Sequence, residues 1–130
     1  MTIPLPKRGG GRSSPGFKPA LLPKVSEADV MADVDQVLSA HHIFHWRNNT
    51  GATQIGRRRW IRFGYPGSSD WLGICHDGRF LAVECKAPKT GRLTEPQQNF
   101  LDCINRYGGV AIVVDSLDSL LRQLKEKGVI

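Results

Sequence analysis

Apolar positions recur at helical spacing over residues 26–40, where Val30, Met31, Val34, Val37 and Leu38 form one stripe. Ser26, with Asp29 three residues on, opens this helix as a near capping box. His41 to Arg47 reads as a first strand. Residues 48–56 are polar and predict a loop. Arg57 to Phe63 reads as a basic and aromatic strand, and Gly64 to Ser69 is a Gly/Pro/Ser turn that delivers Asp70. Two apolar runs then flank Asp77-Gly78, a hairpin signal, and the second ends in Glu84-Cys85-Lys86. Thr94 caps a second long helix with Glu95 and Pro96 in its first turn, and Gly108-Gly109 ends it. Val110 to Val114 is a continuous apolar run and predicts a buried strand. Asp115 or Ser116 caps a last helix with Leu117, Leu120, Leu121 and Leu124 on one face. The order helix, four strands, helix, strand, helix predicts an α/β fold, a mixed central sheet flanked by helices.

Side chains alternate across a strand, so Glu84 and Lys86 share a face. The hairpin loop decides whether Asp70 joins them. A two-residue turn at Asp77-Gly78 sets Asp70 opposite Cys85 and points it away. A three-residue loop, His76-Asp77-Gly78, pairs Cys75 with Arg79, Leu72 with Ala82 and Asp70 with Glu84. That loop needs a left-handed residue at its third position, where Gly78 stands. The three-residue loop, or an equivalent bulge, is preferred because it gathers two carboxylates and an amine. Paired carboxylates repel, and a hard divalent cation relieves the repulsion. A neighbouring lysine can orient water or stabilise charge developing on a phosphate.

Other positions carry weaker signals. Glu27 lies one turn before Val30 and Met31 on the buried stripe, either as a third acid or as a complement to the helix dipole. His41, His42 and His45 lack the ligand spacing of a zinc site. Arg47, Arg57, Arg58, Arg59 and Arg62 gather around Trp60 and Phe63 without an acid, a pattern suited to nucleic-acid backbone or to a soluble strand edge. Lys89 and Arg92 follow the Glu84–Lys86 strand and are further phosphate candidates. Gln97 heads the apolar face Phe100, Leu101 and Ile104, with Gln98 about 100° round the helix.

The run Arg62 to Asp70, then Ala82-Val83-Glu84-Cys85-Lys86, then Gly91-Arg92-Leu93-Thr94-Glu95-Pro96-Gln97 resembles the VRR-NUC family of the PD-(D/E)xK nuclease superfamily. The resemblance covers roughly residues 26–122. Its one departure is Ser69-Asp70 where the superfamily has Pro-Asp, and that proline is not a ligand. The resemblance implies a restriction-endonuclease-like core and a metal-dependent endonuclease. Asp70 and Glu84 would hold Mg²⁺ or Mn²⁺ with the backbone carbonyl of Cys85. Glu27 would complete the acid set directly or through water. Lys86 would act on water or phosphate, and Gln97 would support the lysine. It further implies a homodimeric resolvase of four-way (Holliday) DNA junctions, as in the archaeal junction resolvases. The alternatives are a nuclease for flaps, nicks or linear duplex, and a non-catalytic DNA-binding module.

Charge adds to this picture. The net charge is +6 and the pI about 9.6, favouring a polyanionic partner. Five of the six charges fall in residues 1–24, where Lys7, Arg8, Arg12, Lys18 and Lys24 stand without an acid. This segment reads as a flexible basic arm, either tracking phosphates or serving as a plain leader, and residues 25–130 read as the nuclease domain. No apolar run approaches membrane-spanning length, and the N-terminus lacks the apolar segment of a secretory signal. Cys75, Cys85 and Cys103 have no framework spacing, so a reduced, cytoplasmic protein is expected; the resemblance implies a bacterial or phage source.

Overall fold

The structure, a computed structural model, describes residues 2–4 and 24–130. The expected basic arm lies almost wholly outside the described residues. Helix α1 spans Glu27–Ala40 and opens with both bonds of the capping box, Ser26 with Asp29. Its stripe buries Val30, Val34 and Leu38, with Met31 and Val37 packed beside them. The helix ends at His41. His42 then takes a left-handed φ of 55°, and the Ile43 N–H reaches back to the Leu38 carbonyl at 2.9 Å. The first strand, β1, therefore starts at Phe44 and runs to Arg47, because the two expected strand residues His41 and His42 are used to stop the helix.

The expected loop over residues 48–56 contains a strand. β2 (Gly51–Ile55) pairs antiparallel with β3 (Arg59–Phe63), Gly51 opposite Phe63 and Ile55 opposite Arg59. The two form a separate ribbon, bonded to no other strand among the described residues. Every residue in both strands is exposed. A strand with no buried face carries no apolar alternation, so the pattern gave no sign of it.

The main sheet adds β4 (Trp71–Ile74), β5 (Phe80–Cys85) and β6 (Val110–Val114) to β1. Its order is β1-β4-β5-β6, antiparallel between β1 and β4 and between β4 and β5, parallel between β5 and β6. Helix α2 (Glu95–Arg106) makes the crossover from β5 to β6. Helix α3 (Leu117–Glu126) is capped by Ser116 and not by Asp115. The fold is thus a mixed sheet flanked by helices, with one strand more than the pattern suggested.

The β4–β5 turn has the three-residue form. Leu72 stands opposite Ala82, the Cys75 N–H meets the Arg79 carbonyl at 2.8 Å, and Gly78 takes φ 89°. Asp77 accepts from the Arg79 N–H and Nε at 3.1 and 2.7 Å, bracing the turn. Continued one pair past Leu72–Ala82 on the same face, this register sets Asp70 opposite Glu84.

Helices α1 and α3 cover one sheet face through Leu81, Val83, Cys85, Val110, Ile112 and Val114. Helix α2 covers the other through Ala82, Ala111 and Leu101. That second cover reaches Leu72 of β4 and stops short of β1. Phe44, Trp46, Ile74 and Phe80 remain exposed, and the pairings Phe44–Ile74–Phe80 and Trp46–Leu72–Ala82 place all four on the α2 face.

Leu38 is fully buried between α1 and the sheet. Leu38→Ala should lower stability by about 3 kcal/mol through lost burial and a cavity. Urea unfolding checks this, with an unchanged slope and an earlier midpoint expected.

Candidate active site

Asp70 precedes β4, and its Oδ2 accepts the Cys85 N–H at 2.7 Å. The side chain thus extends the β4–β5 ladder by one bond and is drawn to the C-terminal end of β5. In an antiparallel pair the N–H and C=O of one residue point to the same side. The Cys85 carbonyl therefore lies on the Asp70 side of β5. Arg47 holds Asp70 from behind: its guanidinium donates to the Asp70 carbonyl at 2.8 Å and to the Asn48 carbonyl at 3.1 Å, and lies 3.4 Å from Oδ1. Its plane also sits over Trp71. Arg47, expected as a DNA contact, also fixes this acid and lines the cleft beside it.

Glu84 is 2% exposed. Its Oε1 accepts from Gln97 Nε2 at 2.9 Å and lies 3.2 Å from Lys86 Nζ. Its Oε2 is buried and has no partner among the described residues. Burial and the neighbouring Asp70 carboxylate push the Glu84 carboxyl up to about 7, against the pull of the Lys86 ammonium. A carboxyl in this position holds either a proton or a cation.

Lys86 Nζ donates to Gln97 Oε1 at 2.9 Å. Gln97 is also the third residue of α2, where its Oε1 accepts the Thr94 N–H at 3.0 Å and its own N–H meets Thr94 Oγ1. One amide therefore closes the helix cap and bridges the acid to the amine. Gln98 turns outward to Asp102. The loop before Asp70 is pressed onto the start of α2: a Cβ on Gly67, which has φ 81°, would stand 2.5 Å from the Pro96 backbone.

Glu27 is exposed in the first turn of α1. Its charge contributes to raising the Cys85 thiol, whose side chain lies on the α1 face, opposite to Glu84. Among the described residues no three of His, Cys, Asp and Glu stand close enough to hold an ion together. Asp70 and Glu84 are therefore a close pair, and Glu27 does not join them as a direct third ligand. The pair still suits a hard divalent cation, since Glu84 Oε2 is unpartnered, Asp70 stands beside it, and all the donors are oxygens.

A cleft of about 290 Å³ opens over Asp70 and Gln97, lined also by Arg47, Asn48, Thr50 and Gly67. Lys89 and Arg92 lie beyond Lys86 along a larger groove of about 1060 Å³. Arg57 and Arg58 stand at the ribbon's tip, and Arg59 and Arg62 on β3. Sequence reasoning missed Asn48. Its Nδ2 donates to Ser68 Oγ at 2.7 Å and to the Ser69 carbonyl at 2.9 Å, and its N–H to the Asp70 carbonyl at 2.8 Å. No local signal marks it, because its partners lie twenty residues away.

Comparison of the chain with protein-family models, with curated proteins and with solved structures finds no match. The chemistry of the site rests on its own geometry.

The raised Glu84 carboxyl sets a pH dependence. Folded protein holds this proton up to about pH 7, whereas unfolded chain releases it near the ordinary glutamate value. The contribution is present in full below the unfolded value and is lost as pH rises through the folded one, on the order of 3 kcal/mol. In EDTA, thermal unfolding should therefore come earlier at pH 8 than at pH 5.5. Glu84→Gln should flatten that difference, and an unchanged profile in this variant would refute the assignment.

Proposed function

We propose that the chain is a metal-dependent DNA endonuclease of the PD-(D/E)xK kind, hydrolysing phosphodiester bonds. One observation carries the reading: two facing carboxylates, Asp70 and Glu84, share the end of a sheet with a lysine that a single glutamine holds 2.9 Å from its amide oxygen. Asp70, Glu84 Oε2 and the Cys85 carbonyl would hold Mg²⁺ or Mn²⁺, with Glu27 joining through water. The cation would supply charge neutralisation and activation of water.

The remaining steps belong to the chain. A water oxygen bonds to phosphorus and one ester P–O bond breaks, leaving a phosphate monoester and a hydroxyl. Lys86 places a positive charge where the phosphoryl oxygens gain negative charge. Gln97 holds Nζ in place, so little reorganisation is needed as that charge develops. Arg47 fixes the Asp70 backbone and keeps the carboxylate facing β5.

The substrate reading is a four-way DNA junction cut by a homodimer. Its support is the exposed apolar face Phe44, Trp46, Ile74 and Phe80, which shares the sheet face of Asp70 and Glu84. A patch of this kind calls for a cover. A second copy related by a two-fold axis would cover it and set two sites side by side. Flaps, nicks or linear duplex are the alternative substrates. No helix among the described residues is long and apolar enough to cross a membrane, and free Cys75, Cys85 and Cys103 suit a reducing cytoplasm.

Labelled junction, flap, linear duplex and single strands, each with Mg²⁺, Mn²⁺ or EDTA, test the activity. Cleavage is expected with either metal and not in EDTA. Asp70→Asn, Glu84→Ala and Lys86→Ala should each lower its rate by about a thousandfold or more. Full activity in Glu84→Ala or Lys86→Ala would refute the site. Paired nicks in the junction alone support resolution, and cleavage of every substrate keeps the nuclease and removes the junction. Binding without cleavage under any metal leaves a DNA-binding module.

The dimer is tested by mass in solution. Wild-type protein should run as a dimer, and Phe44→Asp or Ile74→Asp as a folded monomer that no longer makes paired nicks. A wild-type monomer would remove the second copy.

A further inference from the structure

We infer that the β2–β3 ribbon is a duplex-binding arm, which grips double-helical DNA beside the cut site through its arginines and Trp60. The inference deepens the proposed function and rests on it for the identity of the polyanion as DNA.

The ribbon has two unlike faces. Pairing of Ala52 with Arg62 and of Gln54 with Trp60 places these four residues on one side, while Thr53, Ile55, Ile61 and Phe63 fall on the other, with Arg59 beside Ile55 at its tip end. The first side is polar, cationic and aromatic, and Trp60 is 67% exposed on it. Arg57 and Arg58 extend that charge around the tip, where the Arg57 carbonyl accepts from Gln54 Nε2 at 3.2 Å and steadies the turn. Arg57, Arg58, Arg59 and Arg62 have no carboxylate partner among the described residues. No acid occurs anywhere between Asp35 and Asp70 in the sequence. Four unpaired guanidiniums on a narrow projection repel one another and have no internal use. A polyanion would relieve them.

Size and position select a duplex. Five paired residues reach about 17 Å, and the major groove, about 12 Å wide, admits a two-stranded ribbon. Both roots of the ribbon stand at the cleft. The chain enters it at Asn48, whose N–H is bonded to the Asp70 carbonyl at 2.8 Å. It returns through Tyr65, which packs on Phe100 of α2, and through Gly67, pressed against Pro96. A duplex held by the arm therefore leads to Asp70 and Glu84. Arginine forks serve phosphates and guanine edges alike, and Trp60 offers an aromatic face to any unstacked base at a branch.

The test separates binding from cleavage. Full-length protein is titrated into a labelled duplex of about 25 base pairs in EDTA, by fluorescence anisotropy at several salt concentrations. Three variants are compared: Arg57→Ala/Arg58→Ala/Arg59→Ala/Arg62→Ala, the same four positions changed to Lys, and Arg106→Ala/Lys125→Ala at the C-terminal ends of α2 and α3. The Ala quadruple should bind about tenfold or more weaker at physiological salt, with a salt slope reduced by about 3. The Lys quadruple should regain most of the slope, and the helix-end variant should keep it. Unchanged thermal unfolding confirms that the body stays folded. An unchanged slope in the Ala quadruple, or no duplex binding by wild type, overturns the arm. Duplex binding that depends on the arm, with no cleavage under any metal, would keep the arm and remove the nuclease.

Discussion

Glu84 is a buried carboxyl with one oxygen fully engaged and the other left open, and the rest of the site is built around that imbalance. Oε1 is held by Gln97 and lies beside Lys86, while Oε2 has no partner among the described residues. Leaving a buried acceptor unmatched costs on the order of a few kcal/mol. Glu84 stands near the end of β5, beside Asp70 and Gln97, which line the cleft. Asp70 sharpens the imbalance: tied to the next residue's N–H, it brings a second negative charge to the same opening. The protein thus keeps a buried acceptor that a proton or a cation could satisfy.

Gln97 connects this chemistry to folding. Its amide is part of the capping box that starts α2 and part of the bridge between Glu84 and Lys86. Formation of the helix and alignment of the site are therefore one event. The same helix buries Leu101 against Ala82 and Ala111, so the packing of one sheet face fixes where Gln97 stands. Pro96, against which Gly67 is pressed, ties the approach to Asp70 to that helix as well.

The ribbon follows a different logic. It adds nothing to either core, exposes both faces, and concentrates unpaired arginines. An isolated two-stranded ribbon is marginal by itself, and its anchoring is confined to its roots at Asn48 and Tyr65–Gly67. Stability resides in the four-stranded sheet, and the charged projection is left free to meet a partner.

Much of this was legible in the chain. Spacing of apolar residues located the three helices of the described residues, because burial of one face imposes a period, while Ser26 with Asp29 marked the capping box and the continuous apolar run Val110–Val114 marked the buried strand. Asp77-Gly78 announced a hairpin, and Glu84 with Lys86 on one strand face followed from alternation alone. Tertiary structure decided the rest. Only the hairpin register brings Asp70 opposite Glu84, since a slip of one residue would turn it to the other face. Glu27 was expected on the buried stripe of α1 but is exposed, and that helix packs on the Cys85 side of the sheet, so it forms no three-acid cluster with Asp70 and Glu84. The β2 strand escaped notice because a strand with no buried face leaves no apolar period. Asn48 escaped because its role depends on partners that only the folded chain brings near.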